Sequence, residues 1–333
     1  LSNEPAFAVL AYVRRSGRIE SEHFGQAVVC DREGRIAAAF GDPAVAVYLR
    51  SAAKPFQAVT CLSLGAGERF GWSDDELAVV CASHSASPEH LARVRAILER
   101  SGWTPDDLLC GPHPPLDAAE RDSLIRAGRP FHRIHNNCSG KHAGMLAACR
   151  VQGWDGATYL DREHPLQREN ASTMAAFAGL RGRPLETGVD GCGVPTFYLP
   201  LDRLATAYAR LGRPEAAPVE YVPHAQRVLT AMRERPLLTA GQGRFTVALA
   251  ERTGGRVVAK TGAEGLFCAA IPELGLGVAV KVADGGERAH AAATCRILRE
   301  FLPDLDWREI AAASNPPIRN TRGEPVGEIE AAF

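Results

Sequence analysis

A serine and a lysine three residues apart, in Arg50-Ser51-Ala52-Ala53-Lys54-Pro55-Phe56, are the pair in this sequence best suited to covalent chemistry. If a helix begins there, positions i and i+3 share a face and the two side chains can meet. A neutral lysine can then take the proton of a serine that acts as nucleophile. The chain contains 34 arginines and only four lysines: Lys54, Lys141, Lys260 and Lys281. Arginine stays protonated in proteins, whereas lysine sheds its proton when buried. A chain that uses Arg nearly everywhere keeps Lys where Arg cannot serve. By itself S-x-x-K is short enough to arise by chance, and its ordinary alternative is a capping serine beside a solvent-facing lysine.

Lys260-Thr261-Gly262 strengthens the chemical reading. S-x-x-K followed far downstream by K-T-G is the signature set of serine β-lactamases and penicillin-binding proteins. Its third member, S-D-N, is absent from the chain, which argues against β-lactam chemistry. The densest functional stretch is His135-Asn136-Asn137-Cys138-Ser139-Gly140-Lys141-His142. It suits a turn into a helix N-terminus, where free N–H groups favour anions and lower a thiol's pKa. Asp190-Gly191-Cys192-Gly193 is a second glycine-flanked loop with an acid and a thiol. Two thiolates from separate loops make half a zinc site. His135 or His142 would be the ordinary third ligand, and Lys141 an unusual one that must first lose its proton. Ser83-His84 follows a helix end, where serine is ordinarily a cap or turn residue.

These residues need a framework. With 333 residues, 46% apolar and 23% charged, the chain can bury a large core in one domain or two intimate ones. A net charge of −1 with no long like-charge run favours neither nucleic acid nor an anionic membrane as partner. The first apolar run, Ala6–Val13, is too short to span a bilayer and lacks a basic leader, so it is not read as a signal peptide. Nine scattered cysteines without a C-x-x-C pair read as reduced thiols of a cytoplasmic protein.

Strands are expected at Ala6–Arg14, Gly25–Asp31 and Arg35–Phe40, and a helix at Phe56–Leu64. Ser73 to Glu76 is a capping box, and Ser87-Pro88 opens a helix that runs to Gly102. Further helices are expected at Gly140–Val151, Pro165–Leu180, Leu201–Leu211 and Val219–Met232, with a short one from Thr104-Pro105. Phe245–Ala250, Arg256–Lys260, Leu266–Ile271 and Leu276–Ala283 read as an antiparallel meander. A long helix, Gly286–Leu302, and a last strand, Val326–Ala332, follow. The expected fold is α+β: one antiparallel sheet from both chain ends (about residues 5–65 and 240–333) and a helical region (about 66–239), forming a single catalytic unit over 1–333.

Taken together, Glu20-Ser21-x-His23, Arg50-Ser51-x-x-Lys54-Pro55, Ser83-His84, the 135–142 stretch, Asp190-Gly-Cys192-Gly-x-Pro195, Lys260-x-Gly262-x-Glu264-Gly265 and Lys281-x-x-Asp284-Gly285 resemble the Rhizobium-type L-asparaginases, also called class 3 or asparaginase II. The resemblance runs from about residue 8 to residue 330. It implies a fold similar to β-lactamases and serine-dependent glutaminases, and hydrolysis of L-asparagine to L-aspartate and ammonia. It also implies two Ser–Lys tandems, Ser51 with Lys54 and Ser83 with Lys260, a zinc ion on Cys138, Lys141 and Cys192, and a homodimer. On this reading Ser51 attacks the side-chain amide with Lys54 as base, and Ser83 either relays protons or is itself the nucleophile. Arg50, Asp190, His142 and Gly262 are the residues expected to hold the substrate. A glutaminase, a β-lactam-acylated enzyme and a non-catalytic asparagine- or metal-binding protein are the alternatives.

Overall fold

Apolar runs from both ends of the sequence pair into one antiparallel sheet, in a computed structural model that describes residues 6–315 and 317–333. The expected start of the sheet region at residue 5 lies outside the described residues. In chain order the first elements are β1 (Ala8–Arg15), β2 (Arg18–Asp31), β3 (Ile36–Phe40), β4 (Ala46–Tyr48), α1 (Lys54–Ser63), α2 (Ala66–Arg69), α3 (Asp74–Val80) and α4 (Pro88–Arg100). Then come α5 (Ala118–Arg126), α6 (Ser139–Gln152), α7 (Pro165–Ala178), β5 (Glu186–Val189), β6 (Pro195–Pro200), α8 (Leu201–Gly212), α9 (Val222–Glu234), α10 (Pro236–Thr239) and α11 (Phe245–Arg252). The last are β7 (Val258–Thr261), β8 (Leu266–Ile271), β9 (Leu276–Val282), α12 (His290–Phe301), α13 (Trp307–Ser314), β10 (Ile318–Arg319) and β11 (Pro325–Ala331).

The chain divides into two compact units: a sheet unit of residues 6–52, 199–213 and 248–333, and a helical unit of 53–198 and 214–247. In the sheet unit the strand order is β10-β11-β1-β2-β9-β8-β7, with β3 added to β2. The 14-residue β2 pairs with β1 through its first half and with β3 and β9 through its second. Helix α8 covers one stretch of this sheet, against β2, β8 and β9, while α12 packs on β1, β9 and β11. All six residues of β8 are buried, which is why that strand reads as a continuous apolar run rather than an alternating one. Close packing of α8 depends on Gly277: a Cβ there would fall inside van der Waals contact of Ala205 O.

In the helical unit α6 is the hub, packed by α1, α3 and α4. Every residue from Ser139 to Cys149 is buried. Gly140 permits this, because any side chain there would strike the backbone carbonyl of Val79 in α3. The capping box at Ser73 and Glu76 forms with both of its reciprocal bonds. At α4, however, Ser87 occupies the N-cap position without capping: its hydroxyl lies 2.6 Å from His90 Nδ1.

Four expectations fail. Phe245–Arg252 is helical rather than a strand. Its buried positions, Thr246, Val247, Leu249, Ala250 and Thr253, follow a 3.6-residue period, and the β-rich start Phe-Thr-Val was outweighed by Ala-Leu-Ala-Glu-Arg. The long C-terminal helix starts at His290 instead of Gly286, because Gly285 turns at positive φ and the Asp284 carboxylate accepts from Gly286 N. Residues 219–232 divide into a 3₁₀ turn (Val219–Tyr221) and α9, and Pro105–Asp107 is a single 3₁₀ turn. The hairpin β5–β6 and helix α13 were not anticipated. Among the described residues, no helix is long and apolar enough to cross a membrane.

Gly277→Ala should cost about 1–3 kcal/mol through overpacking. In denaturant titration this reads as a lower midpoint at unchanged slope; an unchanged midpoint would mean that α8 yields freely.

Candidate active site

Lys54 is the first residue of α1 and has no exposed surface. Pro55 behind it is tolerated because the first turn needs no amide donor there. The Lys54 nitrogen lies 2.7 Å from Ala82 O, 3.0 Å from Ser83 Oγ and 3.4 Å from Asn137 O. Ser83 sits in the loop after α3, and Asn137 in the turn before α6, so three segments distant in sequence meet at one amine. The loop is held by its neighbour. His84 Nδ1 accepts from Ala86 N at 3.1 Å, which leaves the ring proton on Nε2 to be donated to Ser139 Oγ at 2.9 Å; that hydroxyl then donates to Ile134 O at 2.8 Å. Full burial pushes His84 well below the ordinary histidine range, with His90 and Lys54 adding to the effect. The imidazole therefore stays neutral.

The second cluster joins α6 to the β5–β6 hairpin. Cys138 is the N-cap of α6, its amide donating to Asn136 Oδ1 at 2.9 Å. Cys192 lies in the hairpin turn, which is closed by Asp190 N to Val194 O and Gly193 N to Asp190 O, with Gly193 at φ +89°. Lys141 Nζ approaches Cys192 Sγ to 3.0 Å, and Asp190 Oδ2 lies 3.5 Å from the same sulfur. The helix N-terminus does not lower the Cys138 thiol as expected: its hydrogen bond to Cys192, then burial, raise it. Cys192 is pushed the opposite way: the same bond lowers it, and Lys141 adds to that against the opposing effect of burial. Burial pulls the Lys141 ammonium down, but Cys192, Cys138 and Asp190 outweigh it and the net direction is up.

Among the described residues no three His, Cys, Asp or Glu side chains are placed to share a metal ion. The histidine alternative for a third ligand, His135 or His142, is therefore not assembled with the two cysteines among the described residues. Two sulfurs and the Lys141 amine do converge, a set that suits zinc once Lys141 and the thiols release their protons. His142 packs edge-on to Tyr159, with Nδ1 2.6 Å from the phenol, and its Nε2 has no hydrogen-bond partner.

The remaining predicted residues belong to the sheet unit. Arg50 and Ser51 open a one-turn 3₁₀ segment (Arg50–Ala53) with Arg50 at φ +48°, a conformation that costs a non-glycine residue free energy and recurs at functional sites. Tyr208 in α8 pins the segment by donating to Ala52 O at 2.8 Å. Lys260 on β7 is buried and reaches Thr261 O at 2.8 Å. Gly262 N is committed to Leu266 O, so that amide is not available to a substrate. Lys281 donates to Glu264 O and Val282 O, and His23 Nδ1 meets Asp284 at 3.0 Å. Within the helical unit the structure therefore brings Lys54 to Ser83, and Cys138, Lys141 and Asp190 to Cys192.

A family model described as L-asparaginase II matches residues 11–331. The chain belongs to the L-asparaginase II family. It is accordingly an amidohydrolase, and the resemblance seen in the sequence holds over nearly its whole length. No match is found among curated proteins. Similar solved structures include a β-lactamase from Mycobacterium bovis, 17% identical with a TM-score of 0.44, over 83% of this chain and 94% of that one. A putative β-lactamase from Bacteroides dorei is 16% identical (TM-score 0.43; 83% and 93%), and a Bacillus glutaminase 13% identical (0.38; 84% and 90%). These likenesses are too distant to bear on the substrate of this family member. Tyr159 and Ser139 were not singled out in the sequence; only the hydrogen-bond partner that a buried hydroxyl requires could have pointed to them.

A buried neutral histidine makes stability depend on pH. Below about 6.5 the unfolded chain takes up a proton that folded His84 refuses, so stability present above that pH is lost as the pH falls towards the folded-state value. His90 and His135, also lowered by burial, act in the same direction. Denaturant titrations at pH 7.5 to 5 should show this loss, with His84→Asn reducing the slope by up to about 1.4 kcal/mol per pH unit; an equal slope would mean His84 is not responsible.

Proposed function

We propose that this protein hydrolyses L-asparagine to L-aspartate and ammonia through a serine acyl-enzyme. The observation that carries the reading is the buried amine of Lys54 on the Ser83 hydroxyl, in a member of the L-asparaginase II family. In the proposed reactive form Lys54 gives its N–H groups to Ala82 O and Asn137 O and turns its lone pair to the Ser83 hydroxyl, whose proton it takes. The serine oxygen then attacks the side-chain amide carbon. The tetrahedral intermediate expels ammonia, which leaves with the proton held by the lysine, and water hydrolyses the resulting ester to aspartate and free serine. The family's two tandems, Ser51 with Lys54 and Ser83 with Lys260, leave two nucleophile assignments. In one, Ser51 attacks and Ser83 relays protons. The Lys54–Ser83 contact favours the other, in which Ser83 attacks. Arg50, Asp190, His142 and Gly262 are proposed, on the family resemblance, to hold the substrate's carboxylate and amino groups.

A zinc ion held by Cys138, Lys141 and Cys192 would polarise or orient the substrate as a Lewis acid. The serine already has a base. A homodimer and a cytoplasmic location are proposed on the family resemblance alone.

The test is ammonia release from asparagine by the wild type, Ser51→Ala and Ser83→Ala, with mass analysis of the serine that carries the aspartyl ester. Loss of the nucleophile should reduce kcat at least about a thousandfold. No ammonia at any asparagine concentration would leave a binding protein; faster turnover of glutamine would make it a glutaminase; covalent labelling by penicillin would revive β-lactam chemistry. For the metal, elemental analysis should find one zinc per chain in the wild type and little in Cys138→Ser or Cys192→Ser. Zinc that persists in the double variant would place the site elsewhere.

A further inference from the structure

Two consecutive asparagines lead into α6, and the structure uses them differently. Asn136 is buried and engaged at both ends: its Oδ1 accepts from Cys138 N at 2.9 Å and its Nδ2 donates to Gly111 O at 2.8 Å. Asn137 is partly exposed, with Oδ1 3.3 Å from Cys138 Sγ, and its Nδ2 donates to no group among the described residues. Exposure is unusual there. From Ile134 to Cys149 every residue is buried except Asn137, and from Glu76 to Ala86 every residue except Ser83. The two exceptions are neighbours. Ser83 Oγ and Asn137 O lie 3.0 and 3.4 Å from the same Lys54 nitrogen, and His84 N joins loop to turn by donating to Asn137 O at 3.2 Å. An attacking Ser83 would push negative charge onto the amide oxygen of the substrate, and that charge calls for a positioned donor. The backbone amides on either side of Ser83 are already engaged, Ala82 N with Val79 O and His84 N with Asn137 O.

We propose that Asn137 is a catalytic residue: its side-chain N–H donates to the oxygen of the scissile amide as Ser83 attacks, and holds the charge of the tetrahedral intermediate. The role rests on the reading above in which Ser83 is the nucleophile. When the serine oxygen bonds to the amide carbon, the π pair of the C=O bond moves onto oxygen and the serine proton passes to Lys54. The pair returns as ammonia leaves with that proton. Asn137 transfers no proton at either step. Its Nδ2 carries two N–H groups, so one is left for substrate even if the amide turns the other to the Cys138 sulfur. The donor is also well placed to act without rearranging. The Asn137 carbonyl is fixed by Lys54 and His84 N, and both flanking residues are buried, so only the side chain's own torsions remain to be set.

Asn137→Ala and Asn137→Asp in the full chain test this, assayed with asparagine beside the wild type. The Asp variant keeps the shape of the side chain while removing the donor, and it decides the matter if the Ala variant does not fold. One donor to a developing oxyanion is worth about a hundredfold to a thousandfold in kcat, so each variant should lose that much with KM little changed. Aspartate β-semialdehyde, whose carbonyl adds the serine hydroxyl to give a tetrahedral hemiacetal, should lose affinity by a similar factor. The product aspartate, which stays planar at that carbon, should bind as before. Near-wild-type kcat in a folded variant, a loss confined to KM, or an equal loss for aspartate would overturn the proposal. So would an aspartyl ester found on Ser51 instead of Ser83. Zinc content that falls in the variants, with activity restored by added zinc, would assign Asn137 to the sulfur cluster instead. A wild type inactive on asparagine would refute the functional reading and this role with it; an active wild type beside equally active variants would refute the role alone.

Discussion

A lysine with no exposed surface constrains everything packed around it. Lys54 can stay inside the helical unit only because oxygen atoms replace the water it gave up, and two separate segments supply them. The turn before α6 contributes Asn137 O, and the loop after α3 contributes Ala82 O and Ser83 Oγ. Neither segment is free to wander. His84 ties the loop to Ser139 at the start of α6, His84 N donates to Asn137 O, and Gly140 brings α6 against the end of α3. The site is thus a by-product of how α1, α3 and α6 pack, and its precision comes from helices rather than from a loop.

The second cluster obeys the same logic with sulfur in place of oxygen. Lys141 follows Cys138 by less than one helical turn, so both project from the first turn of α6, and the β5–β6 hairpin delivers Cys192 to them. Ammonium and thiolate neutralise each other in a buried place where either alone would be costly. The Lys141–Cys192 pair and the proposed metal site would then be two states of one arrangement, separated by protons.

Much of this could be read in the residues beforehand. The scarcity of lysine marked Lys54, Lys141 and Lys260, and all three are buried in the structure. The capping box, the buried helix after Pro55 and the sheet made from both chain ends follow from local pattern. Other features were hidden because they depend on partners far away in sequence. Phe245–Arg252 looks like a strand until its burial shows a helical period, and Ser87 looks like a cap until His90 competes for its hydroxyl. The contact of Lys54 with Ser83 joins residues 29 apart and has no local signature. Ser51 and Lys54, by contrast, are related by spacing alone, and spacing could not reveal a second serine on the same amine. The histidine alternative for a third ligand is a similar case, since His142 lies beside Lys141 in sequence yet turns its Nδ1 to Tyr159.

The Lys141–Cys192 contact has a consequence for the mechanics of the chain. It joins side chains 51 residues apart, between a helix that is buried along most of its length and the turn of a hairpin whose first strand is partly exposed and whose second is largely buried. Such a link closes a long loop, and closing it removes conformational freedom from the chain between. The hairpin turn buries Val194 and Cys192, and this polar contact adds a second mooring to that packing. Residues chosen for chemistry then double as a clasp, and any change at Cys192 would loosen the shape of the neighbourhood along with its reactivity.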